Sequence, residues 1–313
     1  MTLCQRIDGG CTGLRAQVSG HRLRAACVVL SLVGVGHAQT FERVSDKPCR
    51  GIALDKEPYW AALGDDVVTV NDKKGRHEEK LPDSLKGAGL SVGVFFGRDY
   101  RVRIAGTART PKGDEVRYFR SLPGGLRPAP DELGPLGKPG APGLVALLGT
   151  ADPEIVCRPG DRCLIKTIHG WAKASAPVGL ERVGLSIGGG WGVAGKTFFK
   201  LEKDWKALPA ASWAKADDGF VRDGQACVVE HGASRMHHFD GNSWRASPSP
   251  VTGPRSIWGN VETLWIVGDA GAAAFNEGQF RAVGGAPKNV AQVLGRSSSD
   301  VWLCGAEGVH RTR

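Results

Sequence analysis

The chain has 313 residues, of which 41% are hydrophobic and 23% charged, with a mean hydropathy of -0.20 and a formal net charge of +9. These values exclude wholesale disorder and a polytopic membrane protein. Glycine (45 residues) and tryptophan (9, against 3 tyrosines) are both in excess, and abundant turns with large ring anchors point to many short strands rather than long helices.

At the N-terminus, Arg15, Arg22 and Arg24 precede an apolar run from Ala25 to Val35, and Gly36-His37-Ala38 supplies small residues at the -3 and -1 positions of a cleavage site. The pattern predicts a secretory signal peptide over residues 1–38, cleaved after Ala38. The run is short for a membrane span, which needs about 20 residues, and no comparable run follows, so no membrane span is expected. Residues 1 to about 14 make the leader long and carry Asp8; a start downstream of Met1 and an extended leader both account for this. Cys27 does not fit a lipoprotein, because Arg24 stands where an aliphatic residue is required. Residues 39–313 keep 37 basic and 31 acidic residues, a charge of +6. The cations are scattered, which supports weak attraction to anionic surfaces but supplies no nucleic-acid arm, so no nucleic-acid partner is expected.

Val67-Val68-Thr69-Val70 and Val102-Arg103-Ile104-Ala105-Gly106 read as strands 35 residues apart. Residues 123–143 hold six prolines and six glycines and read as an inserted loop. Beyond it, Ile155-Val156-Cys157, Trp191-Gly192-Val193, Cys227-Val228-Val229, Trp265-Ile266-Val267-Gly268 and Val301-Trp302-Leu303-Cys304-Gly305 recur at intervals of 36, 36, 38 and 37 residues, with Gly271 matched by Gly308. A ring closes each unit: Trp171, Trp205, Trp244 and Phe280 are 34, 39 and 36 residues apart. The last two follow Phe239-Asp240-Gly241-Asn242-Ser243 and Phe275-Asn276-Glu277-Gly278-Gln279, which read as hairpin turns. With the stretch Ser256-Ile257-Trp258-Gly259, each unit has four short strands.

Four antiparallel strands about every 37 residues predict an all-β fold, a β-propeller of about seven four-stranded blades over residues 39–313. Six and eight blades stay open, because the first three units rest on strand spacing alone. The chain stops before the ring-led last strand of its final unit. Thr40-Phe41-Glu42-Arg43-Val44 resembles Gln279-Phe280-Arg281-Ala282-Val283, so the mature N-terminal strand is expected to close the ring. The Trp-x-Val-Gly, Gly-x-x-Gly and Phe-Asp-Gly-x-x-Trp elements resemble the tandem propeller repeats of secreted bacterial proteins, of the Kelch-like, WD40-like or sialidase-like groups, clearly over about 155–313. The resemblance implies a propeller and export, and carries little about chemistry.

Three cysteines fall in the leader, leaving Cys49, Cys157, Cys163, Cys227 and Cys304. Pro159-Gly160-Asp161 is a turn that lets Cys157 and Cys163 face each other, and export favours a disulfide between them. Cys227 and Cys304 read as buried small hydrophobes in apolar strands, and an odd total leaves at least one thiol unpaired. No Cys-x-x-Cys or His cluster suggests a metal. His237 and His238 are strand neighbours that point to opposite faces, and His238 is read as sharing the repeat position of His310. Asp65-Asp66 and Asp217-Asp218 read as turn caps and Gly188-Gly189-Gly190 as a turn. Asp240-Gly241-Asn242-Ser243-Trp244 lacks a residue of the sialidase Asp-box. No catalytic, cofactor or metal residue is therefore assigned. The expected function is an exported, non-catalytic scaffold that binds a protein or glycan, in the periplasm, on the cell surface or outside the cell. The alternative is a hydrolase or lyase acting on a carbohydrate or lactone at the channel mouth.

Overall fold

The computed structural model describes residues 39–85, 89–94, 102–110, 113–129, 144–146, 155–167, 170–276 and 278–313. The leader, its cleavage site and most of the stretch read as an inserted loop lie outside the described residues. The first strand, β1 (Phe41–Ser45), belongs to the last blade. Blade 1 runs from the centre outward through β2 (Gly51–Leu54), β3 (Trp60–Leu63), β4 (Val67–Asp72) and β5 (Gly75–Lys80). Blade 2 holds β6 (Gly89–Val94), β7 (Val102–Thr110), β8 (Gly113–Leu122) and β9 (Gly125–Pro128). Blade 3 holds β10 (Leu144–Ala146), β11 (Ile155–Arg158), β12 (Arg162–Thr167) and β13 (Gly170–Ser175). Blade 4 holds β14 (Arg182–Ser186), β15 (Gly189–Ala194), β16 (Thr197–Leu201) and β17 (Trp205–Ala207). Blade 5 holds β18 (Asp218–Arg222), β19 (Gln225–Glu230), β20 (Arg235–Phe239) and β21 (Trp244–Pro248). Blade 6 holds β22 (Pro254–Gly259), β23 (Leu264–Gly268), β24 (Gly271–Asn276) and β25 (Gln279–Ala282). Blade 7 holds β26 (Val290–Ser297), β27 (Asp300–Gly305) and β28 (Gly308–Thr312), with β1 as its outer strand. All pairings are antiparallel, and the architecture is a seven-bladed β-propeller.

Where its side chains are described, the second strand of each blade is buried on both faces, which is why it reads as a continuous apolar run rather than an alternating one. On β23, Trp265 and Val267 pack toward blade 7, and Leu264 and Ile266 pack toward blade 5. Gly271 and Gly308 recur because both open the third strand after a two-residue turn at φ +114° and +103°, a conformation that penalises a Cβ. The strand opening blade 1 differs from expectation. Val67–Val70 lies on the third strand, β4, and the counterpart of the Trp-x-Val strands is Trp60-Ala61-Ala62-Leu63 on β3. The head of the stretch read as an insertion is also structured. Residues 123–124 form the β8–β9 turn and 125–128 are β9 itself.

The N-terminal strand closes the ring. β1 pairs with β28 through Phe41↔Thr312, Glu42↔Arg311 and Arg43↔His310, and the Arg313 N–H donates to the Thr40 carbonyl at 2.9 Å. A disulfide between Cys49 and Cys304, 255 positions apart, fastens the same seam, and the Cys49 N–H donates to the Gly305 carbonyl at 2.9 Å. Cys304 is thus covalently paired rather than a plain buried hydrophobe, and Cys227 is buried and takes part in neither disulfide.

Around the channel, a polar side chain on one innermost strand accepts from a main-chain N–H of the next. The Val221 N–H donates to Ser186 Oγ (2.8 Å), Ile257 N–H to Asp218 Oδ2 (3.0 Å), Val293 N–H to Ser256 Oγ (3.4 Å) and Ile52 N–H to Gln292 Oε1 (2.7 Å). Innermost strands have one edge without a ladder partner, and these side chains satisfy it.

Candidate functional site

The outer rim of each blade interface is set by one cross-strand pair between the third and fourth strands. In blade 5 Phe239 faces Trp244, ring centroids 5.3 Å apart, and in blade 6 Phe275 faces Phe280 at 5.0 Å. Trp244 also stacks edge-on against Trp213 (4.9 Å) and Phe198 (5.7 Å), and its Nε1 donates to the Pro209 carbonyl at 2.8 Å. Trp205 packs likewise between blades 3 and 4, and Phe41 between blades 6 and 7. Each ring is a wedge against the preceding blade.

Blades 1 and 2 lack this wedge. At the same position blade 1 pairs Asn71 with Arg76, and blade 2 pairs Ser121 with Leu126. Both interfaces open into clefts. Between blades 7 and 1 a cavity of about 250 Å³ is lined by Glu42, Glu57, Trp60, Asn71, Arg296 and Arg311, among others. Polar contacts hold this seam instead of a wedge. Arg76 crosses it by donating to the Val44 carbonyl (2.6 Å), while within blade 1 Asn71 Nδ2 donates to the Pro58 carbonyl (2.6 Å). Trp60 and Trp302 pack with centroids 5.7 Å apart, and Arg296 and Arg311 each lie 5.2 Å from the Trp302 ring. Asp300 accepts from Trp302 Nε1 (2.8 Å), Arg311 Nε (2.7 Å) and Arg296 Nη1 (3.1 Å), and Arg311 also pairs with Glu57. Burial raises the Asp300 pKa, but these donors outweigh it and hold the carboxyl below its usual range.

The groove between blades 1 and 2 is larger, about 1120 Å³. One wall is the β4–β5 turn and residues 77–80 of β5, the other is the β8–β9 hairpin from Ser121 to Arg127, and Leu81 and Leu126 lie at its base. His77 and Glu79 face blade 2, since they stand opposite Val70 and Val68 of the core shared by blades 1 and 2. The acids here are engaged. Asp72 accepts from the Lys74 N–H at 2.7 Å, Glu78 is 3.8 Å from Lys47, and Glu79 Oε1 accepts from Ser121 Oγ and lies 3.6 Å from His77 Nε2. The other carboxylate oxygen of Glu79, whose side chain is only 10% exposed, has no hydrogen-bond donor among the described residues. Lys74, Lys80 and Arg127 line the groove with no acid of the described residues in ion-pair reach.

The residues singled out from sequence are not brought together. Cys157 and Cys163 face each other across the β11–β12 hairpin and are joined, with an S–S distance of 2.00 Å. His237 lies 1% exposed between blades 4 and 5, its Nε2 3.0 Å from Glu230 Oε2 and its ring edge-on to Trp213. His238 stands opposite Cys227, which packs toward blade 6. Strand pairing puts His237, not His238, at the repeat position of His310, because His237 faces Val228 as His310 faces Leu303. Asp240 caps its turn by accepting from the Asn242 and Ser243 N–H groups, both at 2.9 Å. Asp217 accepts from the His231 N–H (2.8 Å), whereas Asp218 is no turn cap. It belongs to β18, keeps a little exposure to the channel, and accepts from Ser256 Oγ (2.7 Å), Ile257 N–H and Gly219 N–H. Burial pushes its pKa up to about 6 against these hydrogen bonds. Gly188 sits in the β14–β15 turn, while Gly189 and Gly190 open β15. Among the described residues no three His, Cys, Asp or Glu side chains are arranged to hold a metal.

No protein-family model and no curated protein matches the sequence. Solved structures match at the level of fold. The extracellular domain assigned to the hybrid two-component system BT4673 of B. thetaiotaomicron is similar over 88% of this chain, with TM-score 0.57 and 10% identity. The chain spans 42% of the length of that domain. BBS1N, solved in complex with ARL6DN, matches over 87% of this chain and 94% of its own, with TM-score 0.58 and 12% identity. A chain of the Mitotic Checkpoint Complex matches over 96% and 98%, with TM-score 0.60 and 7% identity. The shared property is the propeller fold.

Proposed function

We propose that this protein is an exported, non-catalytic β-propeller that binds a protein or glycan, and that the groove between blades 1 and 2 is its binding site. The observation that carries this reading is the pair Ser121 and Leu126, standing where blades 4 to 7 place a ring, so that a groove of about 1120 Å³ opens with Lys74, Lys80 and Arg127 along it. Export is supported by the leader pattern in residues 1–38, by two disulfides, and by the extracellular domains among the similar structures. No helix of the described residues is long and apolar enough to cross a membrane. BBS1N, solved with ARL6DN bound, illustrates a propeller that takes a protein partner.

Site-specific photo-crosslinking in the exporting cell tests the reading. A crosslinker at Lys74 or Arg127 is expected to give adducts that one at Arg245, on a rim filled by a ring, does not give. Equal labelling at all three positions, or none at the groove, contradicts it.

A further inference from the structure

We propose that the groove between blades 1 and 2 takes an extended acidic peptide bearing one aromatic side chain, which supplies the ring that the chain's own outer strand lacks there. This rests on the binding reading above. The molecule contains its own template for the occupant. Trp205, Trp244, Phe280 and Phe41 fill the corresponding place at four other interfaces, each presented by an extended outer strand. Between blades 1 and 2 the strand is present but the ring is not. Leu81 and Leu126 offer an apolar seat, and a buried aromatic ring is the largest single hydrophobic contribution that a short peptide can make.

Charge selects the flanks of that ring. Asp72, Glu78, Glu79 and Asp83 also line the groove, and Glu78 is paired with Lys47; Lys74, Lys80 and Arg127 have no acid of the described residues in ion-pair reach, so an acidic ligand is favoured where it meets these three cations. The main chain favours a peptide over an acidic oligosaccharide. β5 is the outermost strand of blade 1, paired among the described residues only with β4, and four successive residues of it, 77–80, line the groove. An outer strand edge presents alternating N–H and C=O groups that an added strand can pair with and a sugar cannot match in register.

The test is fluorescence anisotropy on the protein purified from an oxidising compartment. The probe is a labelled peptide of Asp and Glu residues around one central Phe. Comparators are the same peptide with Ala for Phe, the same with Asn and Gln for the acids, and an oligogalacturonate. The acidic Phe peptide is expected to bind, and to weaken at least about tenfold with either altered peptide and with the variant Leu126→Trp, which returns a ring to the groove. The triple variant Lys74→Gln/Lys80→Gln/Arg127→Gln, which leaves the apolar core untouched, is expected to lose binding and its salt dependence together. Unchanged affinity for the Ala peptide, or unchanged binding by Leu126→Trp with a folded circular-dichroism spectrum, overturns the proposal. Preference for the oligogalacturonate, lost in Leu126→Trp, overturns the peptide while leaving the groove as a binding site. Absence of peptide binding at millimolar concentration also overturns the peptide, and the crosslinking experiment then judges the binding reading separately.

Discussion

The rim between blades 4 and 5 and the rim between blades 1 and 2 stand on the same four-stranded frame and differ at the cross-strand pair that leads the outer strand. At the first, Phe239 and Trp244 close over Trp213 and Phe198. At the second, Ser121 and Leu126 leave a groove. The difference teaches that the repeat specifies the frame through its inner three strands, and that the residue leading the outer strand decides whether an interface is sealed or open. The seam between blades 7 and 1 is intermediate. It also lacks the ring, but the Cys49–Cys304 bond and the Arg311–Glu57 and Arg76–Val44 contacts tie it together.

The largest effect is expected from removing the covalent tie of that ringless seam. The Cys49→Ser/Cys304→Ser variant should lose about 5 kcal/mol, the loop-entropy value for a bridge closing some 255 residues. Urea unfolding checks this, and a loss below about 1 kcal/mol would mean that the β1–β28 pairing alone carries closure. The next effect is pH-dependent and sits among the sealed blades. The Asp218 carboxyl keeps its proton to about pH 6 in the folded state and loses it near 3.8 when unfolded, so the folded state holds the extra proton between these values. Its contribution to stability is present below pH 3.8 and falls by up to about 3 kcal/mol as pH rises to 6, less what channel water screens. Asp218→Asn should flatten this slope in urea midpoints taken from pH 4 to 7; an unchanged slope rejects the assignment.

How much of this was legible in the sequence follows from where burial writes a pattern. Double-faced burial made the second strands conspicuous from Ile155 to Trp302, and the ring-led strands marked Phe41 as the missing outer strand. Blade 1 is obscure in the sequence because Val67–Val70 is richer in β-branched residues than Trp60-Ala61-Ala62-Leu63, whose alanines fit a close interface. His310 corresponds to His237 rather than His238, and counting from the second strand alone does not fix this, because the turn between second and third strands spans residues 231–234 in blade 5 and only 306–307 in blade 7. Cys304 looked like a hydrophobe because its partner lies at the far end of the chain. Ser186, Asp218, Ser256 and Gln292 gave no signal, since each serves an N–H on a different blade. The groove had a signal of a negative kind: the ring that leads the outer strand elsewhere is replaced by Leu126, as it is by Arg76 at the seam between blades 7 and 1.

Two smaller effects exchange the two rims. Trp244→Ala should open a groove between blades 4 and 5 at a cost of about 2 kcal/mol, below the range for a fully buried ring because Trp244 is half-buried. Denaturant midpoints check this, with faster amide exchange on β20 and β21 as the local signature. Leu126→Trp should do the converse and stabilise by about 1 kcal/mol, the scale of a cavity-filling change. A thermal midpoint that falls would show that the groove cannot accept a ring.

The most direct measurement is the crystal structure of Leu126→Trp. The indole is expected to lie between blades 1 and 2 over Leu81, as Trp244 lies between blades 4 and 5, covering the base of the groove. An indole turned out to solvent, with the groove unchanged, would contradict the idea that a missing ring is what opens it.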